Sequence, residues 1–80
     1  MVKIKFIMGA AQYQVGGMLE QDGAKAKNCD QVKQAKTYWE TAQQNLHAGG
    51  SVSPSFAAEA ITTITKYLPA LDSQLKVFCK

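Results

Sequence analysis

Apolar residues recur along this chain at alternating three- and four-residue steps in three stretches, and short runs containing glycine separate the stretches. That spacing lines side chains along one side of an α-helix, so the pattern predicts an all-α fold of three helices. The first stretch carries Ile4, Met8, Ala11, Val15, Met18 and Leu19 and predicts a helix over about 3–21 with this stripe towards the core. Gly9, Gly16 and Gly17 each weaken such a helix by up to about 1 kcal/mol relative to alanine. Either a neighbouring backbone packs closely against them, or the helix frays or kinks there.

Asp22-Gly23 interrupts the first pattern, and the segment from Gly23 to Lys27 is expected to connect. The second helix spans about 28–48. Asn28 is a good N-cap, Gln31 follows three residues later as in a capping box, and Asp30 sets a negative charge at the positive helix end. Its stripe is Val32, Ala35, Trp39, Ala42 and Leu46, with Lys33, Glu40 and Gln44 opposite. Gly49-Gly50 ends it, and Ser53-Pro54 opens the third helix in the order N-cap then proline. That helix spans about 54–79 on a stripe of Ala57, Ala60, Ile61, Ile64, Leu68, Leu71, Leu75 and Phe78. Pro69 removes a donor and crowds the preceding turn, so a kink is expected near Tyr67-Leu68.

Short connections make successive helices antiparallel, which brings the start of the second helix and the end of the third to one end of a small bundle. Cys29 and Cys79 hold those two places. The topology favours a disulfide between them; two separate buried thiols, or a reactive thiolate at the helix start, are the other readings. Closing a loop of about 50 residues is worth roughly 4 kcal/mol on the chain-entropy model. In a chain of 80 residues, expected to form a single helical domain over 1–80, that is comparable with the whole folding stability.

Charge and composition then narrow the function. The net charge is +3, yet all nine basic residues are lysine, from Lys3 and Lys5 to Lys76 and Lys80, and they are dispersed. Without arginine's bidentate fork, sequence-specific nucleic-acid recognition is not expected. No apolar run approaches the roughly 20 residues that cross a bilayer, so no membrane span is expected. The opening residues resemble a signal peptide only faintly, because a glycine interrupts their apolar run. Either an export signal has been replaced by Met1, or the chain stays in a reducing compartment. The distant cysteine pair favours a periplasmic or secreted location, with the cytoplasm as the alternative.

Catalytic constellations are missing from the pattern. His47, the single histidine, sits eighteen residues along the second helix from Cys29, roughly 27 Å away at the helical rise, too far for a shared zinc ion or a Cys-His dyad. Glu20, Asp22, Asp30, Glu40, Glu59 and Asp72 are scattered, which gives paired acid-base catalysis little support. Gly49-Gly50-Ser51 lacks the lysine of a phosphate loop, and no Gly-x-Ser-x-Gly elbow occurs. A non-enzymatic domain without metal or cofactor is expected.

Ala35, Trp39 and Ala42, with Gly16 in the preceding helix, resemble the small and aromatic positions of a tetratricopeptide repeat over about residues 8–47. The resemblance implies that the first two helices form a repeat-like hairpin with the third as a capping helix. It also implies that another protein is held along the outward face of the first helix, at Ala10, Tyr13, Gly17 and Glu20. Tyr13 is the expected anchor, since tyrosine offers contact area and a hydroxyl with few rotatable bonds. A solitary repeat leaves a face uncovered, so a protein partner or a homo-oligomer is expected. Two functions remain in view: an exported, disulfide-stapled interaction module, and a small cytoplasmic inhibitor or immunity-type protein that blocks a partner's surface.

Overall fold

The computed structural model describes residues 2–79; Met1 and Lys80, which enter the sequence reading as a start and a surface lysine, lie outside the described residues. The chain forms α1 (Val2–Ala26), α2 (Cys29–Gly49) and α3 (Pro54–Phe78), with a single turn of 3-10 helix at Gly50–Val52 before α3. The three helices lie side by side in a rod of 40 × 18 × 15 Å. This is the expected all-α, three-helix architecture, and no strand occurs among the described residues.

The α2 and α3 stripes behave as their periodicity predicts. Val32, Ala35, Trp39, Ala42 and Leu46 of α2 are buried, as are Ala57, Ala60, Ile64 and Leu71 of α3. Phe56, Ile61, Leu68, Leu75 and Phe78 pack around that core from partly buried positions. Between these helices the cross-connections recur every seven residues. Cys29 is bonded to Cys79, the Lys36 ammonium meets the Asp72 carboxylate at 2.7 Å, and the Gln43 side-chain amide donates to the Thr65 hydroxyl at 2.9 Å. Seven residues up α2 match seven residues down α3, which is the register of two antiparallel helices with a shared heptad seam. The ion pair raises the Lys36 pKa, chiefly through its hydrogen bond to Asp72 and then through the charge itself. As an exposed pair it adds little to stability.

The contact of α1 with α2 is built differently. Among the described side chains of α1, every buried residue is a glycine: Gly9, Gly16 and Gly23. They face Leu46, Trp39 and Val32 in turn, again at seven-residue steps in opposite directions. A Cβ on Gly9 would lie 2.9 Å from Leu46 Cγ, a Cβ on Gly23 2.9 Å from Val32 Cγ2, and a Cβ on Gly16 would run into the indole of Trp39. The α1 backbone therefore rests directly on the α2 side chains, the approach that only glycine allows. The indole N–H of Trp39 donates to the carbonyl of Tyr13 at 3.0 Å, and the Asn45 amide donates to Gln12 Oε1 at 2.7 Å.

This seam corrects two sequence expectations. Asp22-Gly23 does not end the first helix, because Gly23 belongs to the packed face, and α1 continues to Ala26. The Ile4, Met8, Ala11, Val15 and Met18 stripe does not face the core: those side chains are exposed, and Leu19 is half-buried. The glycine face packs more closely against α2 than a face of side chains could, and it turns the apolar stripe outwards.

The real connection is only Lys27 and Asn28. Lys27 adopts a left-handed φ of 54°, the Asn28 N–H donates to the Gly23 carbonyl at 2.8 Å and the Lys27 N–H to that of Ala24 at 3.3 Å. These are the paired bonds of a Schellman ending. Asn28 then caps α2 as expected, its Oδ1 accepting from the Gln31 N–H at 3.1 Å. At the other end Ser53 precedes Pro54 in the predicted order, but its side chain makes no capping bond. The helix α3 continues through Pro69, and the Ser73 hydroxyl donates to the Pro69 carbonyl at 3.2 Å.

Three substitutions in the oxidised protein, and removal of the disulfide, test these arguments by thermal and urea unfolding. Gly16→Ala is expected to lower stability by about 1–2 kcal/mol, since overpacking against Trp39 outweighs the gain in helix propensity. At Gly17 the nearest Trp39 atom is 3.9 Å from the built Cβ, so Gly17→Ala is expected to gain up to about 1 kcal/mol. Equal effects at the two sites would contradict the seam. Lys27→Gly relieves the left-handed strain and should raise the melting temperature by about 4–8 °C, equivalent to about 1 kcal/mol. Reduction, or the Cys29→Ser/Cys79→Ser pair, should remove roughly 4 kcal/mol, and a loss below about 1 kcal/mol would mean that the bond constrains little.

Candidate interaction groove

The helices α1 and α3 are both held by α2 and touch one another little. Five aromatic rings fill part of the gap. Phe6 meets Phe56 edge-on with centroids 5.6 Å apart, Phe56 meets the Tyr13 ring at 6.2 Å, Tyr13 stacks on Trp39 at 6.3 Å, and Trp39 leans against Tyr67 at 6.2 Å. Such offset and edge-to-face pairs suit the ring quadrupole and hold the side chains in fixed orientations.

Where the ladder stops, a groove of about 620 Å³ remains open between α1 and α3. Tyr13, Gln14, Gly17, Met18, Glu20 and Gln21 of α1 form one wall, Thr63 and Tyr67 of α3 the other, and Trp39 of α2 the floor. Gly17 shapes it. Any side chain at that position would project over the indole, whose Cζ2 lies 3.9 Å from the ideal Cβ. Glu20 is half-buried, 3.5 Å from the Gln74 amide nitrogen. Lys66 stands over the Tyr67 ring at 5.8 Å. The groove is thus mainly aromatic and apolar, with one carboxylate beside it, and its volume falls within the usual range for ligand-binding clefts.

Of the four expected contact residues, Tyr13, Gly17 and Glu20 line this groove and Ala10 does not. Their face of α1 points towards α3 and not straight outwards, because the glycine seam fixes the rotation of α1 about its axis. Gln14, Met18, Gln21, Trp39, Thr63 and Tyr67 complete the lining, and the sequence pattern does not single them out as contacts. Trp39 carries a core periodicity and is buried, yet its ring edge forms a floor. Tyr67 sits one residue off the α3 stripe, and that displacement of a large aromatic towards solvent was the available sign.

Cys29 and Cys79 form the expected disulfide, with Cα atoms 5.1 Å apart. Neither is a free thiol, so the reactive-thiolate and separate-thiol readings are superseded. Among the described residues no helix is long and apolar enough to cross a membrane, and no group of three or more His, Cys, Asp or Glu side chains is gathered as metal ligands would be. Compared with known proteins, the chain matches no family model, and neither a curated protein nor a solved structure shows significant similarity to it.

Proposed function

We propose that the protein is a non-catalytic protein–protein interaction module, disulfide-stapled and tetratricopeptide-like, that holds a segment of a partner protein in the groove between α1 and α3. The observation that carries the reading is the aromatic groove itself: Tyr13, Trp39 and Tyr67 present rigid ring surface around a floor that Gly17 leaves uncovered. Rigid aromatic side chains bury much area at low entropic cost, which is why they dominate protein-binding hot spots. The half-buried Glu20 adds a preference for a basic residue in the bound segment. The close packing of Gly16 on Trp39 supports the repeat-like reading of the first two helices.

An exported location belongs to the same proposal. Disulfides persist in the periplasm and outside the cell and are rare where glutathione keeps thiols reduced, and this one joins residues 50 apart. The cytoplasmic-inhibitor alternative had both cysteines as separate buried thiols, and the bonded pair favours the exported reading over it.

Selection of a random peptide library on the oxidised protein tests the groove. Selected peptides should share an aromatic or leucine anchor next to a lysine or arginine, and their binding should change the fluorescence of Trp39, the single tryptophan. Gly17→Leu, which covers the indole, should weaken them at least about tenfold, a loss of about 1.4 kcal/mol. Peptides that bind Gly17→Leu as well as the wild type would refute the groove as the binding site.

A further inference from the structure

The outward face of α1 is a surface of a different kind. Ile4, Ile7, Met8, Val15 and Met18 are 39–64% exposed, and Ala11 is exposed among them. Together they offer about 500 Å² of contiguous apolar surface, at the upper end of what a monomeric protein normally shows to water. Their order is regular. Ile4, Met8, Ala11, Val15 and Met18 follow one another by four, three, four and three residues, the a/d spacing of a helix that packs against another helix. The series turns polar one step later, at Asp22.

We propose that this face pairs with the same face of a second copy of the chain, the two α1 helices running antiparallel about a two-fold axis at Ala11. Three features of the stripe select this occupant. First, the patch matches itself when reversed: turned about Ala11, Ile4 meets Met18 of the other copy and Ile7 meets Val15, with the small Ala11 side chains letting the helices approach at the centre. Self-complementarity of one patch is what a closed two-fold interface requires.

Second, the charges at the two ends differ. Lys3 and Lys5 lie at the start of α1, and Asp22 extends the stripe at its far end. Antiparallel pairing sets Asp22 beside Lys3 and the positive helix terminus of the other copy, whereas parallel pairing would set Asp22 against Asp22 and Lys3 against Lys3. Third, two such patches bury roughly 1,000 Å², the lower limit for a specific interface, so a weak, concentration-dependent dimer is expected. The aromatic groove opens towards α3 and shares only Met18, at its rim, with the stripe.

Sedimentation equilibrium of the oxidised protein from about 10 µM to about 1 mM tests the proposal. Monomer passing to dimer across that range is expected. Val15→Glu, at an exposed position, should remain monomeric throughout with unchanged circular dichroism. Orientation is read from cross-linking: Ala11→Cys should form an intermolecular disulfide with itself, and Ile4→Cys should do so only when mixed with Met18→Cys. A wild-type monomer at all concentrations would overturn the dimer, as would dimerisation that survives Val15→Glu. Self-cross-linking of Ile4→Cys alone would overturn the antiparallel arrangement. Binding to vesicles of anionic phospholipid by a protein that stays monomeric in solution would assign the stripe to a membrane surface instead. Peptide binding to Val15→Glu is unaffected if both proposals hold, so failure of the groove and failure of the dimer are separate results.

Discussion

The structure depends on one constraint: at Gly9, Gly16 and Gly23 the backbone of α1 lies directly against side chains of α2, with no side chain of its own between. Glycine inside a helix costs stability through lost backbone entropy, and α1 carries four within its span. What offsets the cost is contact. Leu46, Trp39 and Val32 lie in the notches at seven-residue steps, and the buried indole of Trp39 finds its only acceptor on the α1 backbone at Tyr13. Dispersion between atoms at such short range is lost quickly if the helices separate by even part of an ångström. The seam therefore fixes the distance between α1 and α2 and also the rotation of α1.

From that rotation the remaining features follow. On the α3 side, Phe6, Tyr13 and Glu20 are turned towards a helix that α1 barely touches, and the aromatic ladder bridges the space only in part. The groove is what remains. The helix α3 is held instead by α2, through the apolar core and the heptad series of the disulfide, the Lys36–Asp72 pair and the Gln43–Thr65 bond. A covalent bond at one end and a short 3-10 turn at the other keep α3 in register on α2 without help from α1. An open cleft can persist beside a marginal core because its far wall is anchored independently.

The sequence made α2 and α3 legible because their buried faces are apolar, and apolar spacing is what periodicity detects. It misled at α1 for a physical reason. A glycine face contributes nothing to a hydrophobic pattern, so the only stripe visible was the exposed one, Ile4 to Met18. The available sign was the seven-residue spacing of Gly9, Gly16 and Gly23, matching in reverse that of Val32, Trp39 and Leu46. Reading Asp22-Gly23 as a turn followed local propensity, which tertiary packing overrode. The turn at Lys27 left no trace because lysine seldom adopts a left-handed φ, and two bonds of the Schellman ending hold it there. Of the groove, Tyr13, Gly17 and Glu20 were legible as one helical face. Trp39 was not, because a residue can be 5% exposed and still present that edge as a floor.

An ordinary amphipathic helix uses its apolar face to fold and has only polar residues left for recognition. Here the apolar face is free because the contact with α2 is made by glycine, and α1 presents three distinct faces around its circumference. One third packs on α2, one third walls the aromatic groove, and one third carries the stripe from Ile4 to Met18. The consequence is a separation of effects by residue type. Changes at Gly9, Gly16 and Gly23 act on folding, since any added atom there meets the α2 side chains. Changes at the stripe act on surface chemistry, since those side chains touch solvent and not the core. A domain of 80 residues with so small a core would ordinarily have to share its apolar residues between stability and recognition. The glycine seam and the disulfide together remove that competition, one by replacing side-chain burial with backbone contact and the other by restraining the unfolded chain.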